Sequence, residues 1–548
     1  MAKPRTWIEK AGNSIEQYVN RLGGEGKKII CASGISPSGS IHLGNLREIF
    51  TVHLLVEELL KRGHDAEHLH FWDDYDRLRK IPANVPDSFS EHIGKALSDI
   101  PDPFGKEVSY GMHFMKEFEG QVEKIGIKPT YIRQSEVYKA GKYTEDIKEA
   151  MLKRHEIFDI MLKYINPDKQ AEVAKTRENY YPFKVYDETT GKDDTTITAY
   201  DPETATITYT SESGPGGSYS LNDKVSGKLV WKVDWPMRWN HYGVIFEPGG
   251  VDHSTPGSSF TVGKDLIKNI MGSTAPFYIP YAFVSLAGSS TKISSSSGSV
   301  ATPENALKVI EPAILRWLFI RTDAKKSFQI DFGQPIMRLY DEWDRLVKKN
   351  ASGKASDKEQ VIFRDCVKTS YKEIPYSVDA PSFKVLASSI EVTANKRSEV
   401  VRIVSQLTDN IPDETAFEEK AAYRYERASF WVEEFQADEE KMKIGEAFND
   451  EVFDALSDEI KQAVGKVVEG LEANWTLDGL STLLYGVPKQ MLNHPLDQPP
   501  TPELKELQRD LFKAVYNLIV GEDTGPRLPS LFISLGIEKI RSLLSKGY

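Results

Sequence analysis

Two short segments of this chain hold residues able to handle a polyphosphate. The first, Ile41-His42-Leu43-Gly44-Asn45, follows the small-residue run Gly34-Ile35-Ser36-Pro37-Ser38-Gly39-Ser40 and opens a helical pattern. Small residues let backbone approach a phosphate, a helix N-terminus offers partly positive N–H groups, and a histidine at such a turn can donate to a phosphate oxygen. A helix cap is the competing reading of His42, and the segment alone does not separate the two. The second, Lys292-Ile293-Ser294-Ser295-Ser296-Ser297-Gly298, lies about 250 residues further on. A lysine on a Ser/Gly loop brings positive charge to a polyphosphate, and the hydroxyls add donors. A solvated serine-rich linker is the competing reading here.

Both segments adjoin strand patterns. Lys28 to Ser33 reads as a short apolar strand running into the first turn, and Leu46, Ile49, Phe50, His53, Leu54, Val56, Leu59 and Leu60 keep helical spacing until Gly63. A second strand, Glu67 to Trp72, ends in the acidic run Asp73-Asp74-Tyr75-Asp76. Strand, turn, helix and strand at this spacing make a βαβ unit, whose ligands sit at the carboxyl ends of its strands. A strand is also expected over Lys128–Gln134, a long helix over about 142–165, and further strands at Val244–Glu247 and Tyr281–Leu286, the last leading towards Lys292. Residues 180–229 differ: Thr195, Ile197, Thr206, Ile207, Thr208 and Tyr209, followed by Gly214, Gly216 and Gly217, indicate a small antiparallel β insertion. After about residue 300 strands are expected to disappear, leaving helices broken by Pro375, Pro381, Pro412, Pro488 and Pro495.

The 548 residues allow three or four domains. No apolar run approaches the roughly 20 residues of a membrane span, and Met1 to Gly24 has no apolar signal core, so a cytoplasmic protein is expected. A net charge of −12 argues against a protein that coats nucleic acid non-specifically, though not against a local basic groove. Cys31 and Cys366 are the only cysteines and support neither a disulfide framework nor a Cys-rich zinc site.

Taken as a pair, HLGN after the first strand and KISSS after the last resemble the HIGH and KMSKS signatures of the class I aminoacyl-tRNA synthetases. Five ordered segments narrow the resemblance to the class I lysyl-tRNA synthetases over essentially the whole chain. They are Ser33–Gly39 with His42–Asn45, Trp72–Arg77, Trp231–Trp239, Phe246–His253, and KISSS. Gly525-Pro526-Arg527-Leu528-Pro529 also resembles the end of that family and of its glutamyl relatives.

The resemblance implies a fold and a reaction. The fold is an α/β Rossmann-type catalytic domain with a small β-rich insertion, followed by all-α stem and anticodon-binding domains. The expected limits are 1–179 and 230–300 for the catalytic domain, 180–229 for the insertion, 301–380 for the stem and 381–548 for the anticodon-binding domain. The reaction is that of a lysine–tRNA ligase: lysine and ATP give lysyl-adenylate and pyrophosphate, and the lysyl group passes to the terminal adenosine of tRNA(Lys). Mg²⁺ is expected to accompany the ATP, held largely by phosphate oxygens. The implied partners are lysine and tRNA(Lys), with no membrane and no DNA, and a monomer is expected.

Residue by residue, the family's pattern makes His42, Asn45 and Lys292 catalytic, with Lys292 on the departing pyrophosphate. Ser36, Ser38, Gly44, Ser294 and Ser295 join them around ATP, and Gly250 and Asp252 match an adenosine-binding GxD element. Gly34, Trp231, Asp234, His253 and Tyr281 are candidates for the lysine pocket, since a substrate ammonium needs oxygen acceptors or aromatic faces. Two departures stand out. Ser295 replaces the second lysine of KMSKS, and the insertion lacks the cysteines of the zinc knuckles that archaeal members resemble one another in carrying, so no metal ligand is assigned. A glutamyl-tRNA synthetase, or a nucleotidyltransferase with an HxGH-type site, are the alternatives.

Overall fold

The computed structural model describes residues 4–255, 257–287, 302–436, 441–495 and 498–546. Lys292, Ser294 and Ser295 therefore lie outside the described residues. The chain divides into two compact units, Met1–Leu307 with Pro312–Ile330 and Lys349–Pro375, and Lys308–Glu311 with Asp331–Lys348 and Tyr376–Tyr548.

The first unit is built on a parallel sheet. Its strands are β1 (Ile29–Ile35), β2 (Ala66–Trp72), β3 (Thr130–Arg133), and, after the insertion, β9 (Val244–Gly250) and β10 (Phe277–Tyr281), in the spatial order β10-β9-β1-β2-β3. Every pairing is parallel. The apolar runs that mark these strands in the sequence follow from this, because a parallel sheet is covered on both faces. Cys31, Ala32 and Ser33 are wholly buried on β1. Helix α1 (Trp7–Arg21) precedes β1, and α2 (Leu43–Lys61) is the crossover to β2, buried along most of its length. The order reverses at β1, with β2 on one side and β9 on the other, so the crevice at the carboxyl ends of β1 and β9 is the topological switch point where such sheets bind ligands.

The insertion carries β4 (Phe183–Val185), β5 (Thr195–Asp201), β6 (Thr206–Ser211), β7 (Gly217–Ser220) and β8 (Gly227–Leu229). β4 pairs antiparallel with β8, and β5-β6-β7 form an antiparallel sheet around Ile197, Ile207, Tyr209 and Tyr219.

Four sequence expectations need correction. The long helix over 142–165 is two helices, Thr144–Leu152 and Arg154–Leu162, because Lys153 (φ −89°, ψ 18°) leaves the helical conformation. Tyr281 ends β10 rather than beginning a strand. The next residue, Ala282, donates its N–H to the carbonyl of Ala324, handing the chain to a second small sheet in which β11 (Val284–Leu286) pairs parallel with β12 (Phe328–Ile330). β12 is also a strand beyond residue 300, a three-residue run too short for periodicity to reveal. Pro488 lies inside the helix Leu477–Met491, where burial of Leu480, Leu484 and Val487 outweighs the lost backbone bond.

The second unit is helical among its described residues apart from turns and 3₁₀ segments. One core gathers Ile460, Val464, Leu484, Leu511, Val515, Phe532 and Leu543 from the helices between Asp458 and Leu544. Elsewhere in this unit the buried Arg424 bonds Glu311 at 2.9 Å and Asp344 at 2.8 Å.

Candidate active site

The carboxyl ends of β1, β2, β9 and β10 bring most of the sequence-derived candidates to one cleft. From β1 the chain passes through Gly34, Ser36 and Ser38 to His42, which caps α2 (φ −99°, ψ 166°). Its Nδ1 accepts the Gly44 N–H at 3.0 Å. The cap is observed and is compatible with the phosphate reading: it fixes the tautomer, so a neutral ring carries its proton on Nε2. Gly44 is needed for this, since a Cβ there would lie 2.8 Å from the His42 ring. Asn45 follows in the first turn of α2.

β9 runs straight into Gly250 and the short turn Val251–Ser254. A Cβ on Gly250 would stand 2.4 Å from the Asp252 carboxylate, so glycine lets that carboxylate fold back against the strand end. Asp252 remains exposed.

Aromatic rings form one wall. Trp231 stacks on Trp235 with centroids 5.2 Å apart, Trp235 meets Trp239 at 4.8 Å, and His253 meets Trp235 edge-on at 5.8 Å. The Trp235 and Trp239 indoles donate to the two oxygens of the buried Glu247, at 2.9 and 2.6 Å. Burial pushes the Glu247 carboxyl up to about 7 despite those two donors. Trp231 is 36% exposed and is the ring open to the cleft.

Tyr281 leads to the residue that sequence reasoning missed. Its hydroxyl donates to Glu48 Oε2 at 2.8 Å, and the Gly34 N–H donates to Glu48 Oε1 at 2.8 Å. Burial pushes the Glu48 carboxyl up to about 8, against the pull of those two donors. A signal was present: His42, Asn45 and Glu48 recur every third residue at the start of α2, so all three lie towards one side.

Asp234 is brought close but not into the open. It is wholly buried, and its carboxylate takes hydrogen bonds from Tyr138 (2.5 Å) and Arg238. It belongs to an ion cluster in which Arg238 also binds Asp73 at 2.6 Å and Lys228 bridges Asp76 at 2.5 Å, Asp73 at 3.2 Å and Asp234 at 3.5 Å. Burial would raise Asp73, but Arg238 and Lys228 hold it at about 2. Burial raises the Asp76 carboxyl, with Lys228 opposing. Three carboxylates against two cations leave the cluster one charge negative. It backs a cavity of about 360 Å³ lined by Gly34, Ser36, Asp73, Asp76, Lys228 and Trp231 among others.

The insertion's residues do not fit a structural zinc. Asp187, in the turn after β4, spends Oδ1 on the N–H groups of Thr189 and Thr190 and on the Thr190 hydroxyl, at 2.9 to 3.1 Å. Among the described residues no group of three or more His, Cys, Asp or Glu could hold a metal ion, and both cysteines are buried elsewhere.

Comparison with known proteins places the chain in a family. The family model described as tRNA synthetases class I (K) matches residues 5–371. A lysine–tRNA ligase of Streptomyces coelicolor is 38% identical over 574 residues, covering 98% of each chain. One from Pyrococcus horikoshii is 34% identical over 529 residues, covering 95% of this chain and 96% of its own. Among solved structures, a glutamate–tRNA synthetase from Elizabethkingia anophelis aligns at a TM-score of 0.41 and 12% identity, over 94% of this chain and 99% of that one. With a family model across its first two thirds and full-length relatives at this identity, the chain belongs to the class I (K) tRNA synthetases.

Proposed function

We propose that this chain is a lysine–tRNA ligase whose cleft divides its work between a phosphate end at His42 and an ammonium end at Glu48. The observation that carries the reading is the Glu48 carboxylate, aimed into the cleft between Gly34 and Tyr281. A carboxylate held by two neutral donors, with no cation bonded to it among the described residues, has room for one strong partner, and an alkyl ammonium satisfies it. The negative cluster behind the cavity and the Trp231 face favour the same ligand. At its inner end a glutamate side chain would meet the negative cluster, whose cations Lys228 and Arg238 are already committed to aspartates, while Arg77, Arg79 and Lys184 line the outer part of the cavity.

In the first step the lysine carboxylate attacks the α-phosphorus of ATP and pyrophosphate leaves. His42 Nε2–H, Asn45 and the N-terminus of α2 stabilise the phosphate oxygens, with Lys292 on the departing pyrophosphate as the family resemblance implies. Asp252 takes the ribose hydroxyls, and Ser36, Ser38 and Gly44 line the approach of the phosphates. When bound with ATP, Mg²⁺ would neutralise charge on the phosphates. In the second step a ribose hydroxyl of the terminal adenosine attacks the adenylate carbonyl and AMP leaves. Trp231, His253, Tyr281 and Gly34 enclose the lysine side chain, and Asp234 acts through Arg238 to position the cluster. The helical residues 381–548 are assigned to the anticodon, where a cavity of about 300 Å³ carries Lys384 and Arg527.

The test is pyrophosphate exchange with each amino acid, with tRNA present and absent. Lysine-dependent exchange is expected to exceed glutamate-dependent exchange by at least about 10³-fold, the discrimination that unmatched buried polar groups enforce. Exchange with glutamate alone would overturn the substrate while leaving the family standing.

A further inference from the structure

Next to Glu48 on α2 stands a buried cation that the two reaction steps do not use. Arg47 is 1% exposed. Its Nη2 donates to two backbone carbonyls, that of Asp323 at 2.6 Å and that of Lys326 at 3.2 Å. The guanidinium carbon lies 5.2 Å from the centre of the Phe328 ring and 5.8 Å from that of Phe319. Among the described residues its Nε has no hydrogen-bond partner. Burial pulls the guanidinium down to about 10, although Asp323 opposes the shift. If this position served packing alone, an apolar side chain of similar size would fill it without a charge to desolvate.

Both carbonyls belong to the turn that leads into β12. The turn is closed on itself: the Lys326 N–H donates to the Asp323 carbonyl and the Lys325 N–H to the Asp323 carboxylate, each at 2.9 Å. Within it the Ala324 carbonyl takes the N–H of Ala282, the residue after Tyr281, at 2.9 Å. Phe328, under the guanidinium, pairs with Val284 of β11, and the far end of β11 is closed by the Ala287 N–H on the Ile330 carbonyl at 3.0 Å. Helix α2 therefore meets the small sheet at three successive points. A Cβ on Gly44 would lie 3.7 Å from the Val284 carbonyl oxygen, Arg47 holds the turn, and Glu48 takes the Tyr281 hydroxyl. In sequence Lys292 stands five residues beyond Ala287.

We infer that Arg47 is a positioning residue for amino-acid activation: it pins the β11–β12 sheet to the helix that carries His42, Asn45 and Glu48, and so fixes the strand from which the chain continues to Lys292. The inference rests on the ligase reading above, in which His42 and Asn45 act on the ATP phosphates and Lys292 on the departing pyrophosphate. Groups from two separate segments can share one triphosphate only if their spacing holds to about 0.5 Å. A misplacement of about 1 Å, even from a change remote from the chemistry, costs about 10²-fold in rate. A planar guanidinium laid against two rings, with one nitrogen shared between two carbonyls of a closed turn, fixes that spacing. A flexible ammonium or an apolar side chain does not. Pyrophosphate has left before the lysyl group moves to tRNA, so the pin bears on the first step and not the second.

The test uses the full-length enzyme with Arg47→Met, which keeps the volume and removes the donors, and Arg47→Lys, which keeps the charge without the planar group. The measurements are the Kd values for lysine and for a non-hydrolysable ATP analogue, the single-turnover rate of adenylate formation at saturating substrates, and the rate of transfer from preformed lysyl-adenylate to tRNA. For Arg47→Met adenylate formation is expected to fall about 10- to 10²-fold. Both Kd values and the transfer rate are expected to stay within about twofold of wild type. Arg47→Lys is expected to show the same split at smaller size, and it carries the test if Arg47→Met does not fold. In a Lys292→Ala background, Arg47→Met is expected to slow activation by no more than about twofold further, since the pin then has no lysine to place. Wild-type activation in the folded Arg47 variant would overturn the pin. So would equal losses in activation, transfer and affinity, which mark a merely structural role, or losses that multiply in the double variant. If Lys292→Ala alone activates like wild type, the reading of Lys292 fails, and the split between activation and transfer in Arg47→Met decides the pin by itself. If the wild type activates glutamate instead of lysine, the substrate reading fails and the same measurements with glutamate decide the pin.

Discussion

Lys228 and Arg238, at the inner end of the cleft, each face two or more carboxylates at hydrogen-bond or ion-pair distance, whereas Arg79 and Lys80, at its outer end, face none among the described residues. Lys228 lines the inner cavity, and Arg79 and Lys80 the one that shares residues with it. The difference is solvent. Inside, a charge without a partner costs several kcal/mol, so cations are present only where aspartates fix them and the whole cluster behaves as framework. At the rim water screens each charge, an unpaired cation is cheap to keep, and it stays available to a ligand.

The contrast can be broken most directly at Arg238. Removing it by Arg238→Ala leaves Asp73 and Asp234 facing one another with only Lys228 between, and a loss of about 3–5 kcal/mol in unfolding free energy is expected. Arg79→Ala at the rim is expected to change stability by less than about 0.5 kcal/mol. Denaturant unfolding of the two variants decides it, and equal losses would erase the distinction between framework and ligand charges.

Glu48 belongs to neither group: it is a cleft carboxylate with neutral donors and, among the described residues, no cation bonded to it. Glu48→Gln keeps the shape and the Gly34 and Tyr281 contacts but removes the charge that an ammonium needs. A fall of about 10²–10³-fold in kcat/KM for lysine is expected, carried mainly by KM, with stability little changed. Steady-state kinetics at saturating ATP and tRNA measures this. An unaltered KM would move the ammonium elsewhere, to Asp73 or Asp76.

How much of this was legible in the sequence depends on distance along the chain. The turn from β1 into α2 was readable because its small residues, cap and helix are contiguous, and the strand end at Trp72 followed from an apolar run, whereas β9 runs three residues past the expected Val244–Glu247 to Gly250. Glu48 was not read as a site residue because its partners, Gly34 and Tyr281, are 14 and 233 residues away. Asp234 was read as a pocket acceptor because it lies in a matching segment. The helix Trp231–Tyr242 instead turns it inward, one turn below Arg238, while Trp231 faces out. Composition cannot tell these two faces apart without the neighbouring Tyr138 and Lys228. The break at Lys153 and the three-residue β12 escaped for a simpler reason, since neither lasts long enough to disturb a period.

The state of Glu48 gives a smaller, pH-dependent effect. Its carboxyl is raised from the ordinary range to about 8 in the ligand-free protein, so near neutrality it is largely protonated and must release that proton to meet an ammonium. Lysine Kd is therefore expected to fall roughly tenfold per pH unit from about 6 towards about 8 and then level off. A raised carboxyl means that the folded state holds the extra proton. Its contribution to stability is thus present at low pH and lost as pH rises from about 4.5 to about 8, the opposite sense to the binding. Calorimetry in two buffers of different ionisation enthalpy should find close to one proton released at pH 7, and none for Glu48→Gln. A flat Kd across this range would mean that Glu48 is already ionised.

The smallest expected effect is none, and it concerns the insertion. In this chain hydrogen bonds hold the turns of the insertion. Asp187 binds Thr189 and Thr190 across one turn, and in the other the Gly214 N–H donates to Ser211 Oγ, whose hydroxyl donates to Asp194 at 3.0 Å. The two turns touch: a Cβ on Gly214 would lie 2.5 Å from Asp187 Oδ1. Two carboxylates, hydroxyls and a glycine offer no thiolate or imidazole, which structural zinc requires. Prolonged chelation followed by dialysis is thus expected to leave the unfolding midpoint and the charging rate, measured with Mg²⁺ restored, unchanged, with no stoichiometric zinc by elemental analysis. Asp187→Ala is expected to cost about 1–3 kcal/mol, since it strips three donors of one acceptor in a buried turn. Tightly held zinc that survives chelation, or unfolding on its removal, would show that the turns depend on a metal after all and that the Asp187 bonds are incidental.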